Sequence, residues 1–312
     1  MVASNPNGPS RIRNFELNMK NLKLHLGLII TALAVVVSAQ SPRPAEKTSV
    51  TTTSRITSSS STRNTTAFAT AATANAAFRN ELTWTFGGKQ QRGWYLYDLL
   101  ISKTIGTLND PGTSDFAASI AVWQKQRRIT ADGVLDEDAL MAMVSQWQNN
   151  RLKTRIYATP DQLLTAPRSD FYDPTRADEL RLVERSTYAA YKQMIAAAIA
   201  DPTLKLKHTS SGELAPTEQY FKIVSAFRSR EYQDNLRRQS PDAGSAGLAV
   251  NFSPHFTGRA LDLYVGGSPV DTKDSNRAIQ VNTPAYKWLV KNAERYGFRP
   301  YFYEPWHWEY VK

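Results

Sequence analysis

The chain has no cysteine among its 312 residues. This excludes a disulfide framework, a thiolate metal site, a cysteine nucleophile and a lipid anchor on cysteine. Only four histidines are present, so the chain is not a histidine-rich metal store. The sequence also lacks a phosphate-loop pattern, which argues against a kinase or another nucleotide-binding protein. Hydrophobic residues make up 41% and charged residues 21%, as in folded globular proteins.

Net positive charge is small outside the amino-terminal part of the chain. The net charge is +10, but residues 81–312 hold 29 basic and 26 acidic residues. A basic face for nucleic acid is therefore not indicated. The positive amino-terminal part would still suit a polyanionic cell envelope.

A hydrophobic run long enough to span a bilayer is also missing. Leu26–Val37 is uncharged but only twelve residues long, whereas a membrane span needs roughly 17–25. Two lysines precede the run, and small residues follow it up to Ala39. The pattern predicts a signal peptide over residues 1–39, with a true start possible at Met19. The alternative is an uncleaved membrane anchor, and either reading predicts export to a periplasm, cell envelope or medium.

Residues 40–80 have little apolar surface. From Thr48 to Thr66, fourteen of nineteen residues are Ser or Thr, and an Ala-rich stretch follows. Such a segment cannot offset the entropy lost on ordering. We therefore predict a disordered linker over residues 40–80.

A small three-helix domain is predicted over residues 81–150. Apolar residues recur at helical spacing, and Asp136 can cap the last helix. The order of elements, with Trp123-Gln124 followed by an Asp-Gly turn, resembles the peptidoglycan-binding three-helix domain. A helical packing unit without a ligand remains the alternative. A connection over residues 151–174 follows.

The predicted catalytic domain covers residues 175–312. It begins with a predicted long helix from Arg176 to Ala200, which Asp201-Pro202 ends. The chemistry is concentrated in three later clusters, which are Ile223–Gln233, Ser253–Leu263 and Glu304–Tyr310. Taken singly, each cluster has an ordinary structural explanation, such as an ion-pair partner or a buried histidine.

Together the clusters predict a metal site. Asp262 falls in the middle of a predicted strand, where a carboxylate must be paired or metal-bound. His255 precedes this strand across a Thr-Gly turn, and His307 lies in a second strand-like segment. Two histidines and one carboxylate leave an open coordination position, as catalytic zinc requires. Glu304 can face that position without ligating, because Pro305 follows it.

The three clusters resemble the VanY-like D-alanyl-D-alanine carboxypeptidases, which are zinc peptidases of bacterial cell walls. The shared motifs are S-x-[YF]-R-S, S-x-H-x-x-G-x-A-x-D and E-x-W-H. The resemblance implies one zinc ion held by His255, Asp262 and His307. It also implies Glu304 as general base and Arg228 as the group that stabilises the oxyanion.

The resemblance also bears on the fold and on the substrate. It implies an α+β domain in which a small antiparallel sheet carries the metal, here behind a three-helix domain and a disordered tail. Ser253 matches the motif serine that lies near bound substrate in relatives. Arg230 and Gln233 are further candidates for binding the substrate carboxylate, although a solvated surface charge is the favoured interpretation of Arg230.

We therefore expect an exported zinc carboxypeptidase that removes the terminal D-Ala from peptidoglycan stem peptides. Peptidoglycan is the expected partner, and a membrane only if the amino-terminal segment stays uncleaved. An L,D-carboxypeptidase or a peptidoglycan endopeptidase of the same zinc family is an open alternative, because the motifs specify the metal and base but not the subsites. A catalytically silent wall-binding protein is a second alternative.

Overall fold

The computed structural model of the chain describes residues 68–239 and 252–312. The predicted signal peptide (1–39) and most of the predicted linker (40–80) lie outside the described residues. All described residues fall within one compact unit.

The described residues form eight α-helices and eight β-strands, besides short 3-10 turns. The helices are α1 (Ala69–Glu81), α2 (Asp98–Ile105), α3 (Ser114–Arg127), α4 (Glu137–Asn149), α5 (Arg185–Ile199), α6 (Arg230–Gln239), α7 (Asp274–Asn282) and α8 (Pro284–Asn292). The strands are β1 (Thr83–Phe86), β2 (Lys89–Arg92), β3 (Leu163–Thr165), β4 (Leu182–Glu184), β5 (Ile223–Ser225), β6 (Ala260–Leu263), β7 (Phe298–Pro300) and β8 (His307–Tyr310). The predicted α+β class is confirmed.

Antiparallel pairing builds every sheet formed by the described residues. β1 pairs with β2, and β3 pairs with β4. The largest sheet has the order β5-β6-β8-β7. Its central strand β6 is buried along its whole length, with Leu261 and Leu263 in the apolar core. The same strand therefore presents Asp262 on the opposite, also covered, face.

The helix α1 occupies residues that the sequence analysis assigned to the linker, so disorder is wrong for residues 69–80. Alanine is the best helix former, and its small side chain lets α1 pack closely on α3. Asn75 is fully buried. Its Nδ2 donates to the Gly133 carbonyl (2.9 Å), and its Oδ1 accepts from the Leu135 amide (2.7 Å).

The predicted long helix over 176–200 is wrong in its first part. Residues 178–180 form a 3-10 turn, and β4 precedes the helix, which begins at Arg185. Pairing with β3 takes Leu182–Glu184 into a sheet, and Glu184 then caps α5. Its carboxylate accepts hydrogen bonds from the amides of Ser186 (3.1 Å) and Thr187 (2.7 Å). Local helical periodicity could not reveal this tertiary strand pairing.

Residues 69–150, which run from α1 through α4 and which we call the helical segment, share one hydrophobic core with residues 175–312, the carboxy-terminal segment. The Phe302 ring lies 4.7 Å from Phe86, 5.3 Å from Tyr97 and 5.7 Å from Trp147, measured between ring centroids. The buried Arg277 donates to the Tyr97 hydroxyl at 3.0 Å. The predicted boundaries at 150 and 175 stay predictions, as does the resemblance to a peptidoglycan-binding domain.

Over residues 68–239 and 252–312, no helix combines the length and the apolar character that crossing a bilayer requires.

Candidate metal centre

The pairing of β6 with β8 sets Asp262 directly opposite His307. Both side chains leave the same face of the sheet, because cross-strand partners share a face. The His307 Nδ1 lies 2.9 Å from Asp262 Oδ1, and both residues are buried. Two of the three predicted metal ligands are thus adjacent.

His255 lies in a 3-10 turn, Pro254–Thr257, that precedes β6. The turn ends at Gly258, whose φ of +67° suits glycine, and the chain there reverses into the strand. The His255 Nε2 comes within 3.3 Å of Asp262 Oδ1. Its Nδ1 lies 2.6 Å from the Ala226 carbonyl, so Nδ1 carries the proton and Nε2 keeps its lone pair.

The structure therefore brings all three predicted ligands together. One ligand atom each from His255, Asp262 and His307 lies within 4.8 Å of the other two. Two imidazoles and a carboxylate are the donor types that zinc prefers in catalytic sites. The residues present fit a single zinc ion.

Arg228 contacts the carboxylate oxygen of Asp262 that does not face the two histidines. Its Nη2 donates to Asp262 Oδ2 at 2.6 Å, and its Nε donates to the Ser225 hydroxyl at 2.9 Å. Burial opposes ionisation of Asp262, but His255 and Arg228 hold the pKa of this carboxyl well below its usual range. Asp262 is thus kept anionic, as a metal ligand must be.

Glu304 lies one tight turn before His307, whose amide donates to the Glu304 carbonyl at 2.9 Å. The Glu304 side chain is buried, and no hydrogen bond joins its carboxylate to another described residue. Burial raises its pKa to about 7, although the nearby His307 acts in the opposite direction. This carboxylate can therefore accept and release a proton near neutral pH.

Residues 181–312 match the VanY family model, described as D-alanyl-D-alanine carboxypeptidase. We call residues 181–312 the VanY segment. The match supports a carboxypeptidase-type function, and hence a peptidase. No curated protein matches the chain significantly.

Within the VanY segment, the predicted substrate-binding residues differ in their surroundings. Gln233 is fully buried, and its Oε1 accepts from Arg228 Nη1 at 3.4 Å. Its Nε2 has no partner among the described residues. Ser253 is also buried, and its hydroxyl caps the His255 turn. Arg230 is exposed and lies over the Tyr157 ring at 5.5 Å, without a contact to the metal ligands.

Sequence reasoning missed the role of Glu309. This residue is fully buried, and its Oε1 lies 3.1 Å from His307 Nε2. Burial opposes ionisation, but hydrogen bonds with His307 and Arg151 lower the Glu309 pKa to about 2. Burial also acts against the charge on His307, but the bonds to Asp262 and Glu309 raise its pKa to about 9. When the His307 ring is protonated, the proton on Nδ1 occupies the lone pair that a metal cation would use.

One signal in the sequence could have revealed Glu309. Alternate residues of a strand share a face, so the His-Trp-Glu order of β8 puts Glu309 beside His307. No local signal marks Arg151, which reaches the site only through tertiary packing and lies before the VanY segment.

Proposed function

We propose that this protein is an exported zinc peptidase that removes the terminal D-Ala from peptidoglycan stem peptides ending in D-Ala-D-Ala. The observation that carries the proposal is the buried group of His255, Asp262 and His307 inside the VanY segment. In each ligand, one side-chain atom is already hydrogen-bonded to the protein; these atoms are His255 Nδ1, Asp262 Oδ2 and His307 Nε2. The other atom of each ligand is left to coordinate zinc.

Zinc bound there would supply Lewis-acid polarisation of the scissile carbonyl and lower the pKa of water. The protein's own proton acceptor is Glu304, whose pKa of about 7 lets it take a proton at neutral pH. It can return that proton to the leaving amine, which completes a general acid–base cycle.

Arg228 is the proposed stabiliser of the oxyanion. Its guanidinium is held by Ser225 and Asp262, so it is already ordered before substrate arrives. Preorganised donors of this kind are worth about 3–4 kcal/mol in other hydrolases. We propose the unpartnered Gln233 Nε2 as a donor to the substrate carboxylate, with Ser253 and Arg230 as further candidates.

The alternatives differ in the bond cleaved. An L,D-carboxypeptidase or an endopeptidase would use the same zinc, base and oxyanion donor. A catalytically silent wall-binding protein is disfavoured by Glu304, because burying this carboxylate raises its pKa to about 7 and costs stability, a cost that a role in proton transfer would account for.

Export and wall binding are part of the proposal. Support for export comes from the short apolar run Leu26–Val37 with its small-residue cleavage pattern. The helical segment before the VanY segment would hold the enzyme near polymeric peptidoglycan and raise the local substrate concentration.

The test uses the purified full-length chain with its bound zinc quantified. We would incubate it with a stem pentapeptide ending in D-Ala-D-Ala and with the tetrapeptide that ends after one D-Ala, and read the products by mass. We expect loss of one alanine from the pentapeptide only. Glu304→Gln should retain zinc and lose about 100–10,000-fold in rate, whereas Glu137→Gln, at an exposed glutamate of α4, should behave as wild type.

Cleavage of the tetrapeptide alone would support the L,D-carboxypeptidase instead. Zinc binding without cleavage of either peptide would favour an endopeptidase acting on cross-linked wall. Absence of both zinc and cleavage would overturn the enzyme proposal and leave the silent wall-binding protein.

A further inference from the structure

The Nε2 atom of the His307 ring, which does not face Asp262, faces the fully buried carboxylate of Glu309. His307 and Glu309 are alternate residues of β8, so both side chains lie on the face that carries Asp262. Ala260 is the partner of Glu309 on β6, and its small side chain leaves room for the carboxylate. The Glu309 Oε1 is 3.1 Å from His307 Nε2. Asp262 lies at the opposite nitrogen, Nδ1.

Glu309 is itself held by residues that precede the VanY segment. Arg151 donates to Glu309 Oε1 through both Nε (3.1 Å) and Nη2, and the Leu152 amide donates to Oε2 at 2.9 Å. The Arg151 guanidinium lies over the Tyr301 ring, 3.9 Å from its centroid. Arg151 Nη1 also donates to Gln148, on the last turn of α4, at 3.1 Å. Both oxygens of the buried carboxylate are therefore occupied.

We propose that Arg151 and Glu309 are positioning residues that fix the tautomer and orientation of His307 for metal binding. This inference rests on the proposed zinc site. A neutral imidazole that donates Nε2–H to a carboxylate presents its lone pair on Nδ1, and Nδ1 is the atom that faces Asp262. The chain that follows α4 thus completes the surroundings of a metal ligand from outside the VanY segment.

A purely structural ion pair would not need this geometry. Arg151 could pair with any acidic residue to join the helical and carboxy-terminal segments, as Lys103 does with Glu294 at the surface (3.1 Å). Glu309 instead shares one oxygen between Arg151 and the metal-facing histidine. Removing the Arg151 side chain should therefore weaken zinc binding as well as lower the stability of the fold.

The test measures zinc affinity of the full-length chain by competition with a chromogenic chelator. We expect Arg151→Ala and Glu309→Ala each to weaken zinc binding by about 10–100-fold, the range typical of outer-shell partners. Glu309→Gln keeps an acceptor for Nε2–H and should recover much of the loss. The double variant R151A/E309A should bind zinc as weakly as E309A alone, because Arg151 acts through Glu309. The double variant also removes both charges together, so neither is left buried without its partner.

A second readout follows the His307 ring directly. In nitrogen-15 NMR spectra of the zinc-loaded protein, we expect a protected Nε2–H on His307. This signal should be lost to solvent exchange in Glu309→Ala and retained in Glu309→Gln. The matched control is Lys103→Ala, which breaks a contact between the same two segments away from the metal. It should leave both zinc affinity and the NMR signal unchanged.

The outcomes separate the two proposals. If wild type binds zinc and both Arg151→Ala and Glu309→Ala bind it equally tightly, the positioning role is wrong while the zinc site stands. Additive losses in the double variant, or an equal loss in Lys103→Ala, would also overturn it. A wild-type chain that binds no zinc would overturn the proposed function and this inference together.

Discussion

Glu304 and Glu309 are two buried glutamates close together in the chain, and their surroundings give them opposite properties. Burial raises the pKa of both carboxyls. At Glu304 this effect prevails, and the pKa is about 7. At Glu309 the bonds from His307 and Arg151 outweigh it, and the pKa is about 2. The same residue type therefore gives a proton acceptor at Glu304 and an anion at Glu309, because hydrogen-bonding and charged partners offset burial only at Glu309.

The pH dependence of catalysis follows from Glu304. Below its pKa the carboxyl is protonated and cannot accept a proton, so kcat/KM should fall about tenfold for each pH unit. Positive charge from a bound zinc ion lowers this pKa, so the acid limb should lie at or below pH 7. The measurement is kcat/KM for the pentapeptide against pH, with bound zinc determined at each point. An acid limb that the residual activity of Glu304→Gln retains unchanged, at constant zinc content, would exclude Glu304 as the base.

Glu304 should also lower the stability of the zinc-free protein. Its folded-state pKa of about 7 exceeds the ordinary value of 4.5, so the folded state binds the proton more tightly than the unfolded state. The cost is absent below about pH 4.5, grows with pH, and is complete above about pH 7. Glu304→Gln removes it and should raise the Tm at pH 8, by roughly 2–4 °C for each kcal/mol recovered.

This comparison is made on chelator-treated protein, with the difference in Tm between Glu304→Gln and wild type followed from pH 5 to 8. The difference should widen as the pH rises, while Glu137→Gln stays level with wild type. A difference that is constant or shrinks with pH would contradict the buried, unpartnered state of Glu304.

Among the elements, the turn between His255 and β6 depends on Gly258. A Cβ there would lie 2.9 Å from Leu163 Cδ2 and 3.0 Å from the Glu184 amide nitrogen, and φ is +67°. Gly258→Ala should cost about 1–2 kcal/mol for the backbone conformation alone, and more for the displaced neighbours. Because the turn sets His255 beside Asp262, zinc affinity should fall as well.

Gly212→Ala is the matched control. Its φ is +78°, but a Cβ there meets no atom within 4 Å. Denaturant unfolding and zinc titration of both variants should show a modest loss of stability in Gly212→Ala with zinc affinity unchanged. Equal effects of the two variants would mean that crowding at Gly258 does not hold the His255 turn in place.

Elements marked by local signals could be predicted from the sequence, whereas elements that depend on tertiary contacts could not. The Asp136 cap was predictable because capping is a local signal, and its carboxylate does accept the Ala139 amide. His255, Asp262 and His307 were predictable as a group because short motifs carry them, on the neighbouring strands β6 and β8 and in the turn just before β6. The strand before α5 and the helix α1 were missed, because pairing with β3 and packing on α3 are tertiary. Arg151 was missed for the same reason.

At the scale of the whole molecule, the helical and carboxy-terminal segments have few means of folding separately. Phe302, from the carboxy-terminal segment, packs among Phe86, Tyr97 and Trp147 of the helical segment. Arg277 is 1% exposed and bonds to the Tyr97 hydroxyl and the Tyr303 carbonyl. Separation would expose large aromatic rings to water, which is costly, and would break the hydrogen bond between Arg277 and the Tyr97 hydroxyl.

We therefore predict that the described part of the chain unfolds in one cooperative transition. Zinc binding should raise the midpoint of that whole transition. A ligand that binds only the folded state adds RT ln(1 + [L]/Kd), about 2.7 kcal/mol at one hundred times Kd. Tryptophan fluorescence reports on both segments, because Trp94 lies in the helical segment and Trp308 beside the metal ligands on β8. Fluorescence and calorimetry should give the same midpoint, and chelation should lower it in one step.

His255→Ala is the control, since it removes a proposed ligand but leaves the shared core intact. It should unfold in a single transition that no longer responds to zinc or to chelator. Two transitions, of which only one shifts with zinc, would show that the helical segment folds on its own. In that case the contacts of Phe302 and Arg277 would be too weak to couple the unfolding of the two segments.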